Sequence, residues 1–229
     1  MKIIAIIEKP ITSGGGFNQA LNAIQQMSRL SVDKFDFSVI TTAKENIYPL
    51  KRLNIKTDYV AITFFDKILS RLFPGRIWGQ ILAKLKIVGP FEKQLIKQNC
   101  DLVYFVEQSP RAECLQNLNF IATVHDLCHQ DQLEFPEVRN FGEFRMRELV
   151  FQNTLTRAFI VVADSEELAD KIYSRYGVDR DRIVTMPFSP SPFLKEPQFS
   201  DSVNILKLYK LDYGYFFYPA QFWAHKNHY

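Results

Sequence analysis

Four short stretches of the 229-residue sequence hold residue types able to do chemistry, and each follows an apolar run. Gly14-Gly15-Gly16 comes after "KIIAIIE". Glycines there let the backbone approach a phosphate or a sugar, and the first amides of a following helix are free to meet negative charge. This is not a Walker loop, because no Gly-Lys-Ser/Thr follows, and Gln19 stands where a dinucleotide fingerprint has its third glycine. "TVHDLCHQD" carries His125 and Asp126 out of a strand into a loop, placed to hydrogen-bond a polar ligand. Only His125 of the two exchanges donor and acceptor roles near neutral pH. His125, Cys128 and His129 have helical spacing that suits a metal, but no other cluster supplies a fourth ligand, so none is expected. In "VVADSEELADKI", Asp164 or Ser165 can cap a helix while Glu167 completes a capping box, and Ser165 and Glu166 would then point into the same cleft. Lys226, just past the tail run "YGYFFYP", is placed to meet a phosphate.

The elements that must position these groups alternate. "KIIAIIE" is a continuous apolar run of the kind expected in a strand covered on both faces. Phe17, Ala20, Leu21, Ile24, Met27 and Leu30 recur at steps of three and four, which predicts a helix over 17–30. "FDFSVIT", "TDYVAI", "LVYFV", "NFIATV" and "AFIVVA" read as further strands, several separated by helical periodicity. That order implies right-handed crossovers and an α/β, Rossmann-like parallel sheet flanked by helices. In such a sheet ligands gather at the carboxyl ends of the strands, where the four stretches fall. Near residue 187 the composition shifts: "PFSPSPFLKEPQFSD" holds four prolines and no periodicity, so it reads as a linker. The expected organisation is a domain over 1–187, a linker over 188–212 with a short helix from Val203 to Leu211, and over 213–229 the first strand and helix start of another domain.

Composition bounds the class. A hydrophobic share of 47% and a charged share of 23% are those of an ordinary globular protein. A net charge of +3 is too small to argue for nucleic acid. Cys100, Cys114 and Cys128 form no C-x-x-C pair and read as reduced, inert thiols. No spanning segment or signal-peptide pattern is evident, so a cytoplasmic protein is expected.

Taken together, the Gly-rich loop after the first strand, "TVHDL", "VVADSEELADKIYSRYGVDRDRIVTMPF" and "FFYPAQFWAHKNH" resemble a glycosyltransferase of family four, with the GT-B fold, over nearly the whole chain. The resemblance implies two Rossmann-like domains across a cleft, the first receiving an acceptor and the second a nucleotide-sugar donor. This chain matches the first domain, the linker and the opening element of the second. The paired glutamates of the second domain would lie beyond Tyr229, so the chain alone is expected to be inactive. Gly15 and Gly16 would lie near the donor phosphates and His125 near the transferred sugar. Lys226 fits the place of a donor-binding lysine, whereas Gln221 stands where family members have an arginine, and an amide does not replace a bidentate cation. The implied reaction retains anomeric configuration and needs neither metal nor cofactor.

Two other classes stay open: a different nucleotide-sugar enzyme such as an epimerase, which the failed dinucleotide fingerprint and the absence of a Tyr-x-x-x-Lys pair disfavour, and a non-catalytic binding module. Residues 64–88 add a partner. Lys67, Arg71, Arg76, Lys84 and Lys86 interleave with Phe64, Phe65, Ile77, Trp78, Ile81 and Leu85, the pattern of helices able to lie on an anionic membrane, broken at Pro74-Gly75 into 64–73 and 76–88. A lipid-linked or saccharide acceptor and a peripheral position on the inner face of the membrane are the corresponding expectations.

Overall fold

The computed structural model describes residues 1–31, 34–73, 76–193, 208–211, 216–218 and 220–228. Seven strands form one parallel sheet in the order β3-β2-β1-β4-β5-β6-β7: β1 (Lys2–Ile7), β2 (Asp36–Thr41), β3 (Thr57–Tyr59), β4 (Leu102–Phe105), β5 (Asn119–Val124), β6 (Ile160–Ala163) and β7 (Ile183–Thr185). Helices α1 (Gly15–Leu30) and α2 (Ile47–Arg52) are followed by α3 (Phe64–Leu72), α4 (Arg76–Lys84) and α5 (Pro90–Lys97). Two short helices, α6 (Cys128–Asp131) and α7 (Pro136–Arg139), precede α8 (Glu143–Leu155) and α9 (Glu166–Tyr176). The α/β, Rossmann-like expectation holds.

The period-two geometry of a strand divides β1 between two cores. Ile4 and Ile6 join Phe91, Leu95, Phe105, Phe120, Phe151 and Ile172 on one face, while Ile3, Ala5 and Ile7 join Phe17, Leu21, Ile24 and Leu50 on the other. That double burial is why these strands read as unbroken apolar runs. Helix α1 buries Phe17, Ala20, Leu21 and Ile24 as its periodicity predicts, but Leu30, its last residue, is exposed. A smaller cluster of Leu69, Phe73 and Leu82 lies beneath α3 and α4. α3 begins with a capping box that the sequence reading overlooked: Thr63 accepts from the Asp66 amide and Asp66 accepts from the Thr63 amide.

The structure corrects two local expectations. β7 was not foreseen, since "IVT" is too short to show alternation. At α9 the cap is Ser165, whose hydroxyl accepts from the Leu168 amide; the third helical position is therefore Leu168, and Glu167 pairs with Lys171 instead of closing a capping box. Phe216–Tyr218, expected as the opening strand of another domain, are exposed and pair with none of the seven strands. The helix start expected after them is one helical turn, Ala224–Lys226. Most of the helix expected over 203–211, and the tail residues 212–215 and 219, lie outside the described residues.

Residues 188–193, expected as linker, lie against α1. Asn22 Nδ2 donates to the carbonyls of Ser189 (2.7 Å) and Pro190 (3.0 Å), and Gln19 both donates to the Ser189 carbonyl and accepts from its amide. Gln19, the residue that breaks the dinucleotide fingerprint, thus holds this strap in place.

One buried acid makes the fold pH-sensitive. Glu113 is 1% exposed and accepts from Asn153 Nδ2 at 3.1 Å, and burial pushes its carboxyl up to about 7 against the pull of Asn153 and Arg157. A folded-state value raised above the ordinary 4.5 gives stability that is complete below that value and lost as pH rises through 7. Glu113→Gln keeps the oxygen facing Asn153 and removes the titration. It is expected to stabilise the protein by about 2 kcal/mol at pH 8 and by little at pH 4.5, read from urea midpoints at both pH values. An equal effect at the two would contradict the assignment.

Candidate functional site

The strand order places the topological switch at the β1/β4 junction, where the chain, having run outward to β3, returns on the other side. Crevices at such a point collect ligands. Beyond β4, Glu107 is 1% exposed and its Oε1 accepts from the amides of Glu8 (2.6 Å) and Lys9 (2.7 Å), which follow β1. Its Oε2 has no hydrogen-bond partner among the described residues and lies 3.8 Å from Lys9 Nζ. Glu8 pairs with Arg111 at 2.5 Å. Burial holds the Glu8 carboxyl above its usual range, with Glu107 adding to the effect and Arg111 opposing it.

Lys9 connects the first two predicted stretches. Its ammonium lies 3.8 Å from where a Cβ on Gly16 would sit, at the start of α1. The same charge helps to lower the proton affinity of His125, second to burial and against Asp164 and Asp126. His125 therefore stays neutral at pH 7. Its Nε2 is buried without a partner among the described residues, and its ring packs 5.6 Å from that of Phe188. Next to it a crevice lined by Asn22, Thr123, Asp164, Met186 and Phe188 holds about 10 Å³, room for roughly one water. Gly14, at φ +71°, makes the turn into α1 in a backbone conformation that favours glycine.

Gly15, Gly16 and His125 are thus brought to one end of the sheet, and Asp164, with Ser165 donating to it at 2.9 Å, stands beside His125. Asp126 is exposed, accepts from the Cys128 amide and pairs with Arg147 at 3.5 Å. Glu166 is turned to Arg180, with which it forms an ion pair. Lys226 is exposed on the tail turn, in no described contact with Gly15 or Gly16. His129 is fully buried and bonded to Glu148 at 3.0 Å, in a network with Gln130 and Tyr176. Among the described residues no group of three or more His, Cys, Asp or Glu is arranged to hold a metal ion.

Glu107 and Arg111 were missed by sequence reasoning. The signal that would have found them is the end of "LVYFV", a strand the sequence does reveal; that it neighbours β1 is not readable without the strand order.

A doubly wound parallel sheet with polar groups gathered where its strands end defines a Rossmann-like domain. Among solved structures the chain is similar to a Listeria monocytogenes protein assigned as a UDP-N-acetylglucosamine 2-epimerase, with 16% identity and a TM-score of 0.52 over 80% of this chain and 43% of that one. It is also similar to a UDP-GlcNAc 2-epimerase from Neisseria meningitidis, with 12% identity and a TM-score of 0.49 over 81% and 46%. A third is a glycosyltransferase from Rickettsia africae, with 15% identity and a TM-score of 0.45 over 81% and 42%. The first of these supports the fold, and the chain spans less than half the length of each. No family model and no curated protein sequence matches the chain.

Proposed function

We propose that this chain is the acceptor-side part of a glycosyltransferase that moves a sugar from a nucleotide-sugar donor to an acceptor hydroxyl with retention of configuration. The observation that carries the reading is the meeting of Gly16, Lys9 and a neutral His125 at one end of the sheet. The glycine turn and an ammonium suit a diphosphate, and a neutral imidazole beside them suits a sugar hydroxyl. In this reading residues 1–187 form the acceptor-side domain, 188–212 the linker and 213–229 the opening of the donor-side domain. Gly15, Gly16 and Lys226 serve the donor phosphates, His125 the transferred sugar, and Asp126, Ser165 and Glu166 the sugar or acceptor, Glu166 after release from Arg180. Departure of the nucleotide diphosphate builds negative charge, which amide dipoles and cations stabilise. A nucleotide-sugar epimerase is the second reading, favoured by the fold overlap with the Listeria protein.

The acceptor in this proposal is a saccharide, on a lipid where α3 and α4 meet an anionic membrane. Ile77, Ile81 and Leu85, four apart, are 71%, 41% and 64% exposed, Phe64 is 79% exposed, and Lys67, Arg71, Lys84 and Lys86 are exposed around them. No helix among the described residues is long and apolar enough to cross a bilayer, and a surface contact needs none.

One experiment addresses both parts. The 229-residue chain and a protein with the complete second domain are incubated with a panel of nucleotide sugars and acceptors, with or without anionic vesicles. Transfer by the longer protein alone, with the anomeric configuration kept, is expected. Salt-sensitive co-sedimentation of both with the anionic vesicles is also expected, and Arg71, Lys84 and Lys86 changed to Gln should weaken it by roughly 1 kcal/mol per charge. Turnover by the chain alone would sink the division of labour, and an epimerised donor without transfer would install the second reading. Equal binding to neutral vesicles would remove the membrane.

A further inference from the structure

A second hollow, of about 380 Å³, opens beside the carboxyl end of β5. Asp126 forms part of its lining, Glu137, Glu143 and Arg147 of the α7–α8 region another part, and Trp223 and His225 of the tail a third. Its volume lies at the small end of the range for small-molecule sites, enough for one or two sugar rings.

The walls are built. His225 donates its amide to Glu137 Oε1 at 3.0 Å, its ring Nδ1 meets the same oxygen at 2.5 Å, and the ring packs edge-on to Phe135. These bonds hold the Glu137 carboxyl below its usual range. Trp223 donates its indole N–H to Gln221 Oε1 at 2.7 Å, which fixes the ring while leaving it half exposed. Gln221, which replaces the arginine of the resemblance, therefore orients an aromatic surface.

The charge balance selects the occupant. Arg147 is engaged by Glu143 at 2.6 Å and by Asp126 at 3.5 Å, so the guanidinium is neutralised by the lining itself. Three carboxylates against one paired guanidinium and an imidazole repel a phosphate or a uronate. The same carboxylates accept hydrogen bonds from hydroxyl or ammonium donors, and a fixed indole covers the apolar face of a pyranose.

We infer that this hollow is a saccharide subsite that takes a neutral or amino-substituted ring and rejects an anionic one, separate from the Gly16–Lys9 pair at the start of α1. This rests on the glycosyltransferase reading, to which it adds the chemistry of the sugar acceptor.

The test uses the 229-residue chain with glucosamine, methyl glucoside and glucuronate, followed by saturation-transfer NMR. Glucosamine is expected to bind most tightly, methyl glucoside less and glucuronate least. Trp223→Ala is expected to weaken the first two about fivefold with an unchanged melting temperature, since the ring is half exposed. Glu143→Gln is expected to narrow the gap between glucosamine and glucuronate. A preference for glucuronate, no binding of any of the three sugars, or binding that Trp223→Ala leaves intact overturns the subsite. Failure here is distinguishable from failure of the enzyme reading. Transfer by a protein with the complete second domain whose acceptor KM ignores Trp223→Ala removes the subsite alone, whereas sugar binding lost in Trp223→Ala without any transfer keeps the subsite and removes the transferase.

Discussion

Glu92→Ala is expected to cost the fold about 3 kcal/mol, the largest stability loss foreseen for a single polar side chain here. Glu92 is 2% exposed on α5, and its carboxylate accepts from the amides of Gln116 (2.9 Å to one oxygen and 3.0 Å to the other), Asn117 (2.7 Å) and Leu118 (3.2 Å). Those three residues lead into β5, the strand that delivers His125. Truncation strands three amides at once. Hydrogen bonds to a charged acceptor are each worth about 1.5–3 kcal/mol, and water at the half-open positions recovers part of the sum. Glu92→Gln keeps one acceptor oxygen and is expected to lose about half as much. Urea midpoints measure both, with an unchanged m-value showing that only stability moved. A loss below 1 kcal/mol for the alanine variant would mean that the strand start holds itself.

His125→Ala is expected to lower kcat by on the order of 10²-fold or more in a protein carrying the complete second domain, with little change in melting temperature. The imidazole is neutral and its Nε2 makes no bond among the described residues, so its removal breaks no hydrogen bond of the fold. Its ring contact with Phe188 is the aromatic interaction that Ala loses among the described residues. His125→Gln, which offers a hydrogen-bonding group of similar reach, is expected to recover part of the rate. A core histidine behaves oppositely, with kcat kept and the melting temperature down by several degrees, and that pattern would move His125 out of the site. Lys9 supplies a second readout: Lys9→Met takes away a positive neighbour, so the His125 pKa, followed by NMR, is expected to rise.

The parts legible in the sequence were those written in long apolar patterns. β1 and β5 occupy the ranges that "KIIAIIE" and "NFIATV" predict to within a residue, because a strand buried on both faces leaves no polar position to blur its ends. β3 stops at Tyr59, short of the run "TDYVAI", because an edge strand pairs only as far as β2 reaches. His125 and the glycine turn were legible because strand ends expose them. Glu107 was not, since its importance comes from a neighbour 99 residues away in sequence. Ser165 and Asp164 were equally good caps on paper, and only the backbone geometry at Ser165 decides between them. The tail is a different case: "FFY" has strand composition, but a strand is made by its partners, and Phe216–Tyr218 have none among the seven strands.

The position of β1 between β2 and β4 also sets a timetable. Its pairing with β2 joins residues about 35 apart, whereas its pairing with β4 joins residues about 100 apart. On a ribosome adding roughly 5–20 residues per second, the 60 or so residues between the end of β2 and the start of β4 take about 3–12 s to make. Throughout that interval the inner edge of β1, five of whose six residues end up buried, stands bare. An unpaired apolar edge held open for seconds is a nascent-chain binding target for chaperones and a seed for strand-to-strand association between neighbouring polysomes.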